Sequence, residues 1–253
     1  MCTASRRPLP GSIAAGNNPV NARVDPCSPH PARRALRGAP ITARTALPTL
    51  AAQAERLIAL DLHTLAGLPA EALTDAAARA GADRTDALLA LDPALAPPSS
   101  LAPLIRRGEK PGFVVEDMTD VDAFAPTDVD LPEAPIYLAE VPDRGDDFEN
   151  ASPAEALEAI TAAGRSPLLL TEGLLWVLQV PEVLERNHCF MTIGSRIRKA
   201  SGRFDSRTPA LWISGGTGRD GKERKDAPKL GWCWWNNRHT WLGIASAGGR
   251  TAG

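Results

Sequence analysis

From residue 50 onward the apolar positions fall into two spacings. In TLAAQAERLIALDLHTLAGL, Leu50, Ala54, Leu57, Ile58 and Leu62 recur every three or four residues and share one helical face. A second helix is predicted to start at Pro69, a favoured first helical position, and to run through AEALTDAAARA to Gly81. DALLALDPALAPP reads as a short apolar strand stopped by prolines, and SSLAPLIRR as a short helix with serine N-cap candidates. GFVVED and APIYLAEV are strand-like on either side of an acidic, proline-punctuated loop. At SPAE, Ser152 can cap a helix, Pro153 suits its first position and Glu155 can close a capping box; the helix should end at Gly164. The next helix should begin near Thr171, bury Leu174, Leu175 and Leu178, and stop before Pro181. CFMTI, PALWIS, LGWCWW and HTWLGIASA then turn strand-rich. Helices early and mid-chain followed by strands imply an α+β fold, with a C-terminal antiparallel sheet, as a single domain over residues 49–250.

Residues 1–48 break both spacings. They are rich in Arg, Pro, Ala and Gly and lack aromatics, so they cannot bury enough apolar surface to offset their ordering entropy. A disordered basic tail is expected, from an appended leader or an upstream start codon. It has no apolar run of the signal-peptide kind. The longest greasy stretch, LLLTEGLLWVLQV at 168–180, is thirteen residues and contains Glu172, too short to span a bilayer. A cytoplasmic protein with no membrane contact is the expectation, and Cys2, Cys27, Cys189 and Cys233 form no regular framework, which suits free thiols.

Charge changes the picture once it is mapped. The formal net charge is −2, yet residues 109–158 carry two basic and fifteen acidic residues, whereas residues 186–253 carry thirteen basic and four acidic. Either the two blocks face each other within the fold, which is the favoured reading, or the basic end recruits an anion.

The motifs are near-misses. GTGRDGK (216–222) has the spacing of a phosphate-binding loop, but Glu223 replaces the magnesium-holding hydroxyl and Pro228 cuts off the required helix. A charged connection between strands is predicted there. His188, Cys189, Cys233 and His239 have the inventory of a zinc site without its spacing, and adjacent strand residues point to opposite faces. Asp143, Asp146, Asp147 and Glu149 supply only part of a calcium-loop pattern and read as a solvated acidic loop. Ser195, beside Arg196 and Arg198, could contact a phosphate, although a hydrogen-bonded turn is the simpler reading. No metal, no cofactor and no catalytic residue is assigned.

GWCWWNNRHTWLG (231–243) concentrates four of the six tryptophans. With Asn236–Asn237 as a two-residue turn it reads as a tryptophan-rich hairpin. Trp232, Trp234, His239 and Trp241 would share one face, and Cys233, Trp235 and Arg238 the other. Trp212, Trp232 and Trp241 are expected in the core, with Trp234, Trp235, Arg238 and His239 as an accessible rim.

LPEAPIYLAEVPDRGD, GRSPLLLTEG, NHCFMTIGSR, RTPALWIS and GWCWWNNRHTWLGIASAGGR carry a resemblance. From about residue 50 onward the chain resembles an uncharacterised actinomycete family known only as a domain of unknown function. The resemblance implies a bacterial cytosolic protein with one integrated domain and supplies no activity. From the residues themselves the leading expectation is a non-enzymatic binding or interaction module for an anionic small ligand or an acidic protein surface. Arg196, Arg207, Arg238 and His239 would supply charge and donors, and Trp234 or Trp235 a stacking wall. The alternative is an enzyme using His239 as general acid/base beside Asp143 or Glu172. Single-stranded nucleic acid comes third, because the acidic block would repel a polyanion.

Overall fold

A computed structural model describes residues 46–253; residues 1–45, with Cys2, Cys27 and nearly all of the expected disordered basic tail, lie outside the described residues. The fold is α+β. Helix α1 (Leu50–Ala59) starts where Thr49 Oγ1 accepts the Ala52 N–H at 3.2 Å, and it buries Leu50, Gln53, Ala54 and Leu57. Leu47 is already buried, so packing begins before the expected boundary. Asp61, at φ 55°, separates α1 from the one-turn α2 (Leu62–Leu65). Helix α3 (Ala70–Ala80) has Pro69 at the cap, one place earlier than expected, and stops at Gly81. Strand β1 (Ala87–Leu91) is wholly buried. In the short α4 (Pro98–Leu101) the cap is Pro97, while Ser99 bonds the Asp122 carboxylate instead of capping.

Small strands follow: β2 (Arg106–Arg107), β3 (Lys110–Pro111), β4 (Phe113–Val114) and β5 (Ala125–Pro126). Strand β6 (Ile136–Glu140) precedes α5 (Pro153–Ala162), which has the expected capping box between Ser152 and Glu155. After β7 (Ser166–Pro167), all ten residues of α6 (Leu170–Gln179) are buried. The remaining strands are β8 (Cys189–Met191), β9 (Ser195–Arg196), β10 (Arg207–Ile213), β11 (Pro228–Trp234), β12 (Leu242–Ile244), β13 (Ser246–Ala247) and β14 (Gly249–Ala252).

Helix α6 organises the core because it packs on β1 of one sheet and β10 of another. The first sheet is antiparallel, in the order β1-β6-β14; the second runs β12-β8-β10-β11-β4, antiparallel through β8-β10-β11 with parallel strands at both edges. The helix approaches the second sheet so closely that a Cβ on Gly173 would fall 2.6 Å from Thr192 Cγ2. Glu172 lies on α6 with no solvent exposure, and Arg250 on β14 reaches it with Nε at 2.6 Å from Oε1 and Nη2 at 2.7 Å from Oε2. Tyr137 Oη and the Leu169 N–H also donate to this carboxylate, and Ser166 and Pro167 accept from Arg250. A buried charge persists when it is paired and hydrogen-bonded, and here the carboxylate accepts four bonds and the guanidinium donates four. No helix of the described residues is long and apolar enough to cross a membrane.

The expected tryptophan hairpin does not form. Asn237 N–H does bond Trp234 O at 3.0 Å, so a turn is present, but β12 pairs with β8 and not with β11. Competing contacts explain this. Trp235 N–H goes to Ser206 O, Asn150 N–H to His239 O, and Arg238 donates to Asn150 O and Glu155. Residues 235–241 are thereby drawn across the sheet, and Trp241 O accepts from Cys189 N–H to place β12 beside β8. Trp212, Trp232 and Trp241 consequently lie half-buried at the margin of the core instead of inside it.

Candidate functional site

Between β9 and β10 the chain folds back on itself as a basic finger. Arg198 bridges antiparallel to Phe204, Lys199 N–H donates to Arg203 O at 2.8 Å, and Asp205 N–H donates to Ile197 O at 2.8 Å. The turn needs Gly202, which sits at φ 80°. From 196 to 207 there are five cations, Arg196, Arg198, Lys199, Arg203 and Arg207, against one carboxylate, Asp205.

Arg196 is held by rings. Its guanidinium carbon lies 3.8 Å from the Trp235 ring centroid and 4.7 Å from that of Phe204, and Arg198 lies 4.4 Å from Phe204 on the same loop. One bond, Nη2 to Asp205 O at 2.7 Å, anchors it. Its buried Nε has no protein partner. Desolvation lowers its pKa, against the opposing charges of Asp205 and Asp128.

Arg207 is committed elsewhere. It forms a two-pronged pair with Asp120, at 3.0 and 2.6 Å, and places Nε 3.1 Å from Asp205 Oδ1. These bonds raise its pKa. Burial works against the charge on Asp205, but the bonds from Arg207 outweigh it and hold that carboxyl at about 2. Arg207 therefore fixes the root of the finger and is not free for a ligand. It is cross-strand neighbour to Trp234, which is 46 % exposed and meets Trp232 edge to face at 4.6 Å.

Arg238 and His239 lie apart from this cluster. Arg238 is bound to Asn150 O and Glu155 at the start of α5. His239 is half-buried, its ring edge-on to Trp241 at 5.6 Å, its Nε2 without a partner and its pKa lowered by desolvation. The carboxylates proposed to serve it are engaged elsewhere: Asp143 accepts the Gly145 N–H at 2.6 Å, and Glu172 is the buried partner of Arg250. General acid/base chemistry at His239 thus lacks the expected orienting group.

The weaker motifs resolve similarly. Residues 218–220 and 222–224 form short 3-10 turns with Lys222 exposed, so no helix faces a phosphate at the glycine loop. Ser195 is buried, and its Oγ accepts the Leu170 N–H at the start of α6. The acidic loop is spent internally: Asp146 pairs with Arg144 and Glu149 with His188. Cys189 and Cys233 are free thiols that burial pushes up to about 11 and about 12. Of the six residues proposed from sequence, Arg196, Arg207, Trp234 and Trp235 come together at one end of β10 and β11. Arg198, named from sequence only as a neighbour of Ser195, joins the cluster, while Phe204, Asp205 and Asp120 complete it and were missed. The density of cations between 196 and 207 was the available signal for Phe204 and Asp205.

The molecule is an α+β protein whose second sheet carries an arginine–aromatic finger. Residues 56–253 match a family of unknown function (DUF5701), and the chain belongs to that family. No curated protein and no solved structure matches it.

Proposed function

We propose that the protein is a non-enzymatic binding module whose finger and adjoining tryptophans take an acidic segment of a partner protein. The observation that carries this reading is Arg196, a guanidinium stacked on Trp235 and Phe204 with a buried Nε left unpaired. A stacked guanidinium is pre-organised for a carboxylate, since its plane is fixed before the ligand arrives. Arg198, Lys199 and Arg203 are exposed on the turn and Trp234 beside it, a spread of cations that suits an extended acidic chain better than one small anion.

Calorimetric titration with a glutamate-rich peptide tests the reading. Arg196→Ala and Trp235→Ala should each weaken binding about tenfold or more, consistent with loss of a charge-assisted bond or a cation–π contact. Arg196→Lys should not restore it, because an ammonium lacks the stacking plane. Pyrophosphate binding in place of the peptide would shift the reading to a small anion. Tight binding of single-stranded DNA at physiological salt would replace it altogether.

A further inference from the structure

A second feature lies at the other end of β10, roughly 20 Å from Arg207 at about 3.3 Å per strand residue. Trp212 on β10 and Trp241 before β12 meet edge to face, with ring centroids 6.2 Å apart and planes at 74°. With Ile213, Cys189, Arg186 and Asn187 they line a cleft of about 190 Å³.

Both rings are braced from outside the cleft. Trp212 lies over Gly231, where a Cβ would fall 2.4 Å from its Cη2, and Lys229 Nζ sits 5.1 Å from its centroid. Trp241 is backed by the His239 ring. Cys189 is buried and donates Sγ–H to Glu185 O at 3.2 Å, so it offers the cleft a neutral surface and not a nucleophile. Arg186 and Asn187, both exposed, supply the cleft's charged and amide side chains. Arg186 pairs there with Asp226 and also borders a broader hollow with Arg107, Glu182 and Glu185.

The volume corresponds to about six waters at about 30 Å³ each. That is below the roughly 300–1,000 Å³ of sites for drug-sized ligands, so one ring system fits and a nucleotide does not. Rings at an angle present both a face and an edge to a third ring, the arrangements aromatic groups favour. An exposed carboxylate on Arg186 shows which charge the mouth accepts.

We propose that this corner binds a small planar aromatic carboxylate, with its ring against Trp212 and Trp241 and its carboxylate on Arg186 in place of Asp226. The site is independent of the finger and stands whether or not the finger binds an acidic partner.

The probe is indole-3-acetate, titrated into the full chain while the indole N–H signals of Trp212 and Trp241 are followed by NMR. Both signals should move and saturate, and uncharged indole should bind at least about fivefold more weakly. Arg186→Gln should weaken the acid about fivefold. Asp226→Asn should tighten it by a similar factor, because the competing carboxylate is removed while a residue tolerant of φ 68° is kept. The proposal is overturned if neither indole signal moves, if indole and its acid bind alike, or if both variants bind the acid like the wild type.

Discussion

Arg196 and Arg207 lie eleven positions apart and have opposite fates, because the partners that decide them come from elsewhere in the chain. Asp120, the acid that claims Arg207, is 87 residues away in sequence, while Arg196 meets two rings and one carbonyl. His239 shows the same dependence on surroundings. Burial lowers its pKa below the ordinary value of 6.5, so the folded state resists a proton that the unfolded chain accepts. Above that value the ring is neutral in both states and costs nothing. As pH falls through it, the unfolded chain binds more protons and stability is lost until the folded-state pKa is reached. Replacing His239 by Gln should remove this component, so the wild type should lose stability relative to the variant as pH falls through about 6.5. Denaturant midpoints measured across that pH should therefore diverge; parallel profiles would mean that His239 is not desolvated. Residue types that could form a site were visible in the sequence, since Arg196, Trp234 and Trp235 come together beside the end of β10 and β11. Their pairing was not, because no local pattern ties Asp120 to Arg207 or Glu172 to Arg250.

At the scale of elements, local signals served wherever an element is made by its own residues. The Ser152–Glu155 box is closed by its own residues and the apolar run of α6 is readable locally, and both appear where the sequence placed them. The tryptophan hairpin failed because a turn signal says nothing about which strands pair afterwards. Asn237 closes its turn, yet the acidic loop at 143–150 captures the following residues and β8 takes β12. That loop meets β12 at Gly145, which sits at φ 76° with Ile244 N–H bonded to its carbonyl at 3.2 Å. A Cβ on Gly145 would lie 2.0 Å from Ile244 O. Gly145→Ala should accordingly cost about 3 kcal/mol or more, from strain at positive φ together with overpacking against backbone. A variant as stable as the wild type in urea would show that this contact does not hold the loop on β12.

Across the whole molecule the two charge blocks meet. Asp117 pairs with Arg219, Asp120 with Arg207 and Glu155 with Arg238, each joining the acidic middle to the basic end. The charge map made that reading the favoured one. On the finger, Arg198 and Arg203 are exposed, and neither has a carboxylate within ion-pair distance among the described residues. Salt should separate the two roles. The interblock pairs are largely at the surface, where each contributes about 0–1 kcal/mol, whereas Glu172–Arg250 is sealed from solvent and poorly screened. Raising sodium chloride from about 0.1 to about 1 M shortens the screening length from about 10 to about 3 Å. Unfolding free energy should then change by no more than about 1 kcal/mol, while affinity for a glutamate-rich peptide should fall about tenfold or more. A collapse in stability would make the charge blocks the main support of the fold, and a salt-insensitive affinity would remove the finger from consideration as the binding face.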